Sequence, residues 1–245
     1  MTTLVVGASG ATGRLVVEQL IAKGEKVKII VRSIESLPDL IIKNDQVRIT
    51  ESSLLDMSNF ELKCHVQGCS AVVSCLGHNL TINGMFGHPR RLVKGAVQRL
   101  CQAIEDTSAT VSKDLSTPVK FILMNTTGNQ NTKAGEKVSI AQTITVGLIR
   151  LLLPPHADNE EAADYLQYYI GPHHNIIQWV VVRPDSLIDE ESVTEYDVYE
   201  SPIRSAIFDA GKTSRINVAH FMSQLIINTE TWNKWKAQMP VIYNQ

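Results

Sequence analysis

Several broad classes of protein are excluded by what this sequence has little of. Charge of either sign is nearly balanced: 23 Lys and Arg against 25 Asp and Glu give a formal net charge of −2. That excludes the basic surface of a general nucleic-acid binder, and local pairs such as Arg90-Arg91 read as solvated helix charges. Long apolar runs are missing. The longest, Ser139 to Pro155, is short for a bilayer and carries Arg150 in its middle, so no membrane span is expected. Cysteine is sparse: Cys64, Cys69, Cys75 and Cys101 have neither C-x-x-C spacing nor histidines at ligand spacing, so structural free thiols are expected and no metal site. The chain enters its first apolar run with no basic segment or cleavage site ahead of it, from which a cytoplasmic address is expected. No Gly/Ser linker, repeat or low-complexity tract divides the 245 residues, so one domain with a sizeable core is expected.

What is present is an alternation of short apolar runs with helix-length segments. Thr3 to Val6, Lys26 to Arg32, Gln46 to Thr50, Ser70 to Gly77, Val119 to Gly128 and Ile176 to Pro184 read as strands. Between them, Leu15, Val16, Leu20 and Ile21 share one helical face before Gly24, and a further helix is expected around Val93 to Ile104. Strands that are apolar throughout belong in a parallel sheet covered on both faces. The expected fold is α/β, a Rossmann-like doubly wound parallel sheet with helices on both faces. Residues 1–245 form a single domain with a small C-terminal substrate-side region, its substrate-side segments lying around 78–92, 129–157 and 185–215. Ligands of such sheets sit at the carboxyl ends of the strands, where strand order reverses.

The first such end carries "GASGATG", with Gly7, Gly10 and Gly13 between strand and helix. The amides that open a helix lack intrahelical partners and attract an anion, and missing side chains let a diphosphate reach the backbone. Ser9 and Thr12 supply small hydroxyls for the same purpose. A P-loop needs Gly-Lys-Ser/Thr, whereas Gly13 precedes Arg14 and Leu15, so a dinucleotide is the better fit. At the end of the second strand, no acidic residue is available for the ribose hydroxyls of NAD. Arg32 and Ser33 stand there instead, suited to a 2′-phosphate, so NADP(H) is preferred over NAD(H).

In order, "GASGATG", "VRS", "VVSCLG", "NTTG", "VVVRPDSL" and the late "RINVAHFM" resemble the atypical short-chain dehydrogenase/reductase superfamily. The likeness is to its NAD(P)H-binding, NmrA-like branch, and within it to the flavin and biliverdin reductases. The resemblance implies that Gly7, Ala8, Ser9, Gly10, Ala11, Thr12 and Gly13 bind the diphosphate, and Arg32 and Ser33 the 2′-phosphate. It puts Ser53 and Leu54 near the adenine, although relatives commonly carry an acid where Ser53 stands. Cys75, Leu76 and Gly77 would contact the nicotinamide-side ribose, with Asn125, Thr126 and Thr127 below the nicotinamide. Arg183, Pro184 and Asp185 would edge the substrate pocket.

The sequence departs from familiar short-chain dehydrogenases in lacking their Tyr-x-x-x-Lys pair: Tyr165, Tyr168 and Tyr169 are followed four residues later by Tyr169, Pro172 and His173. An alcohol dehydrogenase is thereby disfavoured. Flavin and biliverdin reductases manage without the pair, with a serine after the fifth strand and a histidine after the sixth. The matching positions here are Thr127, able to donate to a polarised acceptor, and Asp185, anionic unless burial raises its pKa. The expected activity is hydride transfer from NADPH to a flavin, quinone or similar conjugated acceptor. The alternative is a non-catalytic NADP-binding redox sensor of NmrA-like type, presenting an apolar helix around Ile144 to Leu153 to a partner. A small-molecule acceptor and a monomeric or weakly homodimeric state are expected.

Other polar candidates have plainer readings beside the functional one. His78 and His88 flank a polar stretch after the fourth strand, where either could donate a proton, although loop histidines without a role are commoner. His173 and His174 follow a Gly-Pro turn and read as structural, as does His220 in a late helix. The acids of "ADNEEAADYLQYYI" are expected to complement their own helix dipole. Trp232 and Trp235 read as packing residues, and Lys133 and Lys137 as loop charges that could meet an anionic ligand.

Overall fold

A computed structural model describes residues 1–78, 87–109, 117–136, 154–205 and 209–245. Along the chain run β1 (Thr2–Val6), α1 (Ala11–Ala22), β2 (Lys26–Val31), α2 (Asp39–Ile42), β3 (Val47–Glu51), α3 (Asn59–Val66) and β4 (Ala71–Ser74). Then come α4 (Leu92–Ser108), β5 (Val119–Met124), α5 (Pro154–Asp164), which continues as a π-helical turn over Tyr165–Ile170, and β6 (Ile177–Pro184). The final part holds β7 (Ser186–Ile188), β8 (Tyr196–Tyr199), β9 (Lys212–Ser214), α6 (Arg215–Ile227), α7 (Thr229–Trp235) and β10 (Val241–Asn244).

Among the described residues the main sheet has the order β3-β2-β1-β4-β5-β6-β10-β8, parallel except where β8 returns antiparallel beside β10. β7 and β9 make a separate two-stranded ribbon. The chain winds outward from β1 in both directions, so strand order reverses between β1 and β4. Pairing of Val6 with Ile30 on one side and Ser74 on the other brings the ends of β2, β1 and β4 level.

Both faces of the strands are apolar because both are covered. Leu4 and Val6 of β1, Phe121 and Leu123 of β5, and Trp179 and Val181 of β6 point to the side of α3, α4 and α5. Their neighbours Val5, Ile122, Val180 and Val182 point to the side of α1, α6 and α7. This alternation with apolar residues in both phases is the signature of a fully buried parallel sheet. Helix starts are set locally: Ser58 and Glu61 form a reciprocal capping box at α3, and the Ser214 and Asn228 side chains cap α6 and α7.

The expected doubly wound sheet is present in one domain, with differences at its edges. The strand expected to reach Gly77 stops at Ser74, and that expected to reach Gly128 stops at Met124. Just beyond those points the Cys75, Asn125 and Thr127 amides still donate to β1 and β6, so the polar residues that follow each strand lie at the rim of the sheet. β8 and β10 extend the sheet past β6, where no strand was expected. No helix among the described residues is long and apolar enough to cross a membrane. The apolar helix expected at Ile144 to Leu153 and Lys137 fall outside the described residues.

Candidate cofactor and active site

The glycine turn occupies the carboxyl end of β1, the strand at the reversal. Gly7 has φ +79°, and a Cβ there would come within 2.5 Å of the Cys75 carbonyl carbon and oxygen. A Cβ on Gly13 would collide with the Gly7 carbonyl, so this glycine lets α1 close onto the turn. Gly10 differs. It is the N-cap of α1, is exposed, and a Cβ there would find only the Gly7 oxygen at 3.2 Å. No side chain caps the helix, and Ser9, Gly10 and Ala11 face outward, whereas Ala8 and Thr12 are buried. The Gly10 amide donates back to the Gly7 carbonyl at 3.0 Å, and the turn leaves exposed backbone free of side chains at a positive helix end, which fits a diphosphate.

Beyond β2, Arg32 is exposed and, among the described residues, makes no ion pair or side-chain hydrogen bond. Ser33 opens a 3-10 turn over Ile34–Ser36 and its carbonyl accepts from the Ser36 hydroxyl at 2.6 Å. After β3, Ser53 is half-buried, but the Leu54 side chain points into the core. The loop around it is fastened by Arg99 of α4, whose guanidinium donates to the Leu54 carbonyl at 3.2 Å and also to those of Leu55 and Met57. Arg99 went unnoticed in the sequence because nothing local marks a helix arginine that reaches back 45 residues.

At the end of β4, Cys75 and Leu76 pack against opposite core clusters, and Gly77 is exposed. Burial pushes the Cys75 thiol up to about 12, so it stays protonated and unreactive. At the end of β5, the Asn125 amide donates to the Asn159 carbonyl at 2.8 Å while its oxygen accepts from the Thr126 amide at 2.9 Å. This bond draws α5 over the rim. The Thr126 hydroxyl accepts from the Gly128 amide at 3.2 Å.

Thr127 and Asp185 are brought together. The Thr127 amide donates to the Pro184 carbonyl at 3.1 Å, which sets Thr127 beside Asp185. Asp185 accepts from the Gly211 and Ser186 amides, both at 2.9 Å. Burial raises its pKa, opposed by these hydrogen bonds and by the positive charge of Arg204.

Arg183 corrects an expectation. Its side chain does not line a pocket: it is fully buried, and it donates from Nε to the Met239 carbonyl at 2.7 Å and from Nη1 to that of Asn129 at 2.8 Å. It also grips Glu136 bidentately at 2.9 and 2.5 Å, and the Glu136 carboxylate accepts the Asn131 amide at 2.7 Å. Arg183 braces the segment after β5 against β6. Pro184 is likewise buried within β6.

The other polar candidates divide. Lys133 is held by the Gln167 carbonyl at 2.6 Å and lies over the Tyr168 ring, so it is a local tie and not an open anion site. The His174 ring accepts from the Ile177 amide at 3.1 Å and faces Glu105, a structural use. His220 meets the Tyr196 hydroxyl at 2.8 Å on the far side of the sheet, where burial lowers its pKa. The acids of 157–170 depart from expectation: no acid lies in the first turn of α5, and Asp158 instead takes the Val93 and Lys94 amides at the start of α4. The same carboxylate meets the His78 ring at 2.8 Å. Among the described residues no group of three potential ligands is placed to hold a metal ion.

These strand ends define a nucleotide-binding Rossmann-like fold. A family model described as NAD(P)H-binding matches residues 7–229, and the chain belongs to that family. No curated protein matches the chain. Solved structures share its fold. A candidate NADH-flavin reductase from Streptococcus pneumoniae TIGR4 is 17% identical over 100% of both chains, with a TM-score of 0.67. A short-chain dehydrogenase/reductase from Veillonella parvula, solved with NADP, is 14% identical over 99% of this chain and 94% of its own, with a TM-score of 0.66. A candidate NAD-dependent epimerase/dehydratase from Bacillus halodurans is 20% identical over 100% and 94%, with a TM-score of 0.68.

Proposed function

We propose that this chain is an NADPH-dependent reductase that transfers hydride to a flavin, quinone or similar conjugated acceptor. The observation that carries the reading is the pairing of an open backbone cradle at Gly7 to Gly13 with an exposed, unengaged Arg32 one strand away, at the reversal of a parallel sheet. The cradle suits a diphosphate, and Arg32 with Ser33 suits a 2′-phosphate. The loop held by Arg99 borders the adenine end. Gly77, Asn125 and Thr126 border the nicotinamide end, where the bound dinucleotide supplies a hydride.

The protein's own work there is to position and to exclude water. No Tyr-x-x-x-Lys pair follows β5 in the sequence, so proton transfer to an alcohol or ketone lacks its usual group. An acceptor that is already electrophilic has less need of one. The fold likeness to a candidate NADH-flavin reductase supports this choice of acceptor class.

NADPH oxidation followed in parallel with FMN, a quinone and biliverdin tests the reading. Turnover with at least one acceptor is expected. Tight NADPH binding with no turnover of any acceptor would contradict it and favour the redox-sensor alternative.

A further inference from the structure

We propose that Arg99 is a positioning residue for the adenosine half of the dinucleotide, acting through the loop after β3, residues 52–57. The inference rests on the cofactor assignment made above and gives a side chain outside the ligand's reach control over how tightly that ligand is held.

The backbone of this loop turns three carbonyls toward one point. Arg99 Nη1 donates to the Leu54 carbonyl at 3.2 Å and to that of Leu55, and Nη2 donates to that of Met57. Carbonyl oxygens gathered at one place repel one another unless a cation stands between them. A guanidinium suits the task because its donors are fixed in a planar fork, whereas an ammonium is a point charge on a flexible stem.

The ends of the loop are fixed without Arg99. The Ser52 amide donates to the Val31 carbonyl at 2.8 Å, and Ser58 opens α3 through its capping box. Between those anchors the Leu54 and Met57 side chains are buried in the core, and the Asp56 amide closes a turn onto the Ser53 carbonyl at 3.0 Å. The carbonyls of Leu54, Leu55 and Met57 answer to a single side chain on another element. The Leu55 side chain lies over Gly95, one helical turn before Arg99, so α4 backs the loop directly.

The loop stands where the adenosine is assigned. Its bond from Ser52 to Val31 sets it beside Arg32, the next residue after Val31, so the clamped backbone and the group assigned to the 2′-phosphate border the same end of the dinucleotide. Arg99 spends its donors on the loop, and its effect on a ligand passes through that backbone. A wall held in place before the ligand arrives need not be ordered on binding. Without the clamp, that ordering is charged to the adenosine half, and the nicotinamide half is unaffected.

Calorimetric titration of wild type and Arg99→Met with NADPH, NADH and 2′,5′-ADP tests the proposal. Methionine keeps much of the side chain's length and removes its donors. All three ligands should bind about 10-fold more weakly, by a common factor and with full stoichiometry. In steady-state turnover KM for NADPH should rise, with kcat at saturating NADPH within about twofold of wild type. A merely structural arginine would lower the melting temperature or the number of binding sites and leave the dissociation constants of the folded protein alone. That result, a loss confined to NADPH, or undiminished 2′,5′-ADP affinity would overturn the proposal. Should Arg99→Met fail to fold, Arg99→Lys takes its place, with a common loss of about threefold expected and the same results overturning it. Wild type that binds NADPH but reduces no acceptor would refute the reductase reading and leave the three titrations decisive. Wild type that binds none of the three ligands would refute the cofactor assignment and this proposal with it.

Discussion

Arg32 stands at the end of β2 with its charge unanswered by any described residue, while Arg183 and Arg99 are consumed by carbonyls and a carboxylate. That contrast separates a ligand-directed arginine from two structural ones. Loss of a charge-assisted hydrogen bond costs about 1.5–3 kcal/mol, so Arg32→Ala should weaken NADPH binding about 10- to 100-fold. NADH affinity, read by the same calorimetric titration, should be unchanged. An equal loss for both dinucleotides would remove Arg32 from the 2′-phosphate. At this scale the sequence showed the backbone parts of the site and concealed the side-chain network. Glycines three apart advertise a close approach wherever the chain goes, and a cationic residue after a strand is visible by position. The bond between His78 and Asp158 joins residues 80 apart, one in a loop and one amid acids that looked sufficient for their own helix. Nothing local could pair them.

Among the elements, β5 and β6 carry the site's far edge, and the segment that follows β5 is tied back by the Glu136 and Arg183 pair. Both side chains are buried, at 4% and 0% exposure. Removing one charge strands the other, which costs about 3–5 kcal/mol. Glu136→Gln should therefore lower unfolding stability by about 3 kcal/mol in denaturant titration, and replacing Arg183 by Met in the same chain should restore part of it. A loss below about 0.5 kcal/mol would class the pair with surface ion pairs. The six central strands were legible because each is a continuous apolar run. β7, β8, β9 and β10 were not: "SLI", "YDVY", "KTS" and "VIYN" are short and partly polar, and they become strands only through distant partners. Strand preference is largely a matter of such context. α5 was expected from its composition, but its π-helical ending has no comparable periodic signature.

For the whole molecule, the arrangement that matters is a parallel sheet that reverses its order beside β1, with the glycine turn, Arg32, Gly77, Asn125 and Thr126 at the carboxyl ends of its strands. The fold could be read from alternation of strands and helices, because a sheet covered on both faces leaves little freedom in topology. Which rim residues face a ligand could not, because burial of Ala8, Leu54 and Arg183 depends on how the helices close over the sheet. The account's central claim is that a dinucleotide diphosphate lies on the amides at the start of α1. Calorimetric titration of NADPH into wild type and Gly10→Asp tests it most directly. The position has room for a Cβ with slight adjustment of the Gly7 carbonyl, and aspartate is a good N-cap, so thermal stability should hold or rise. The new anion would occupy the place of the diphosphate. The account predicts NADPH affinity reduced at least about 100-fold in a fully folded protein, a loss of about 2.7 kcal/mol or more; unchanged affinity would contradict it.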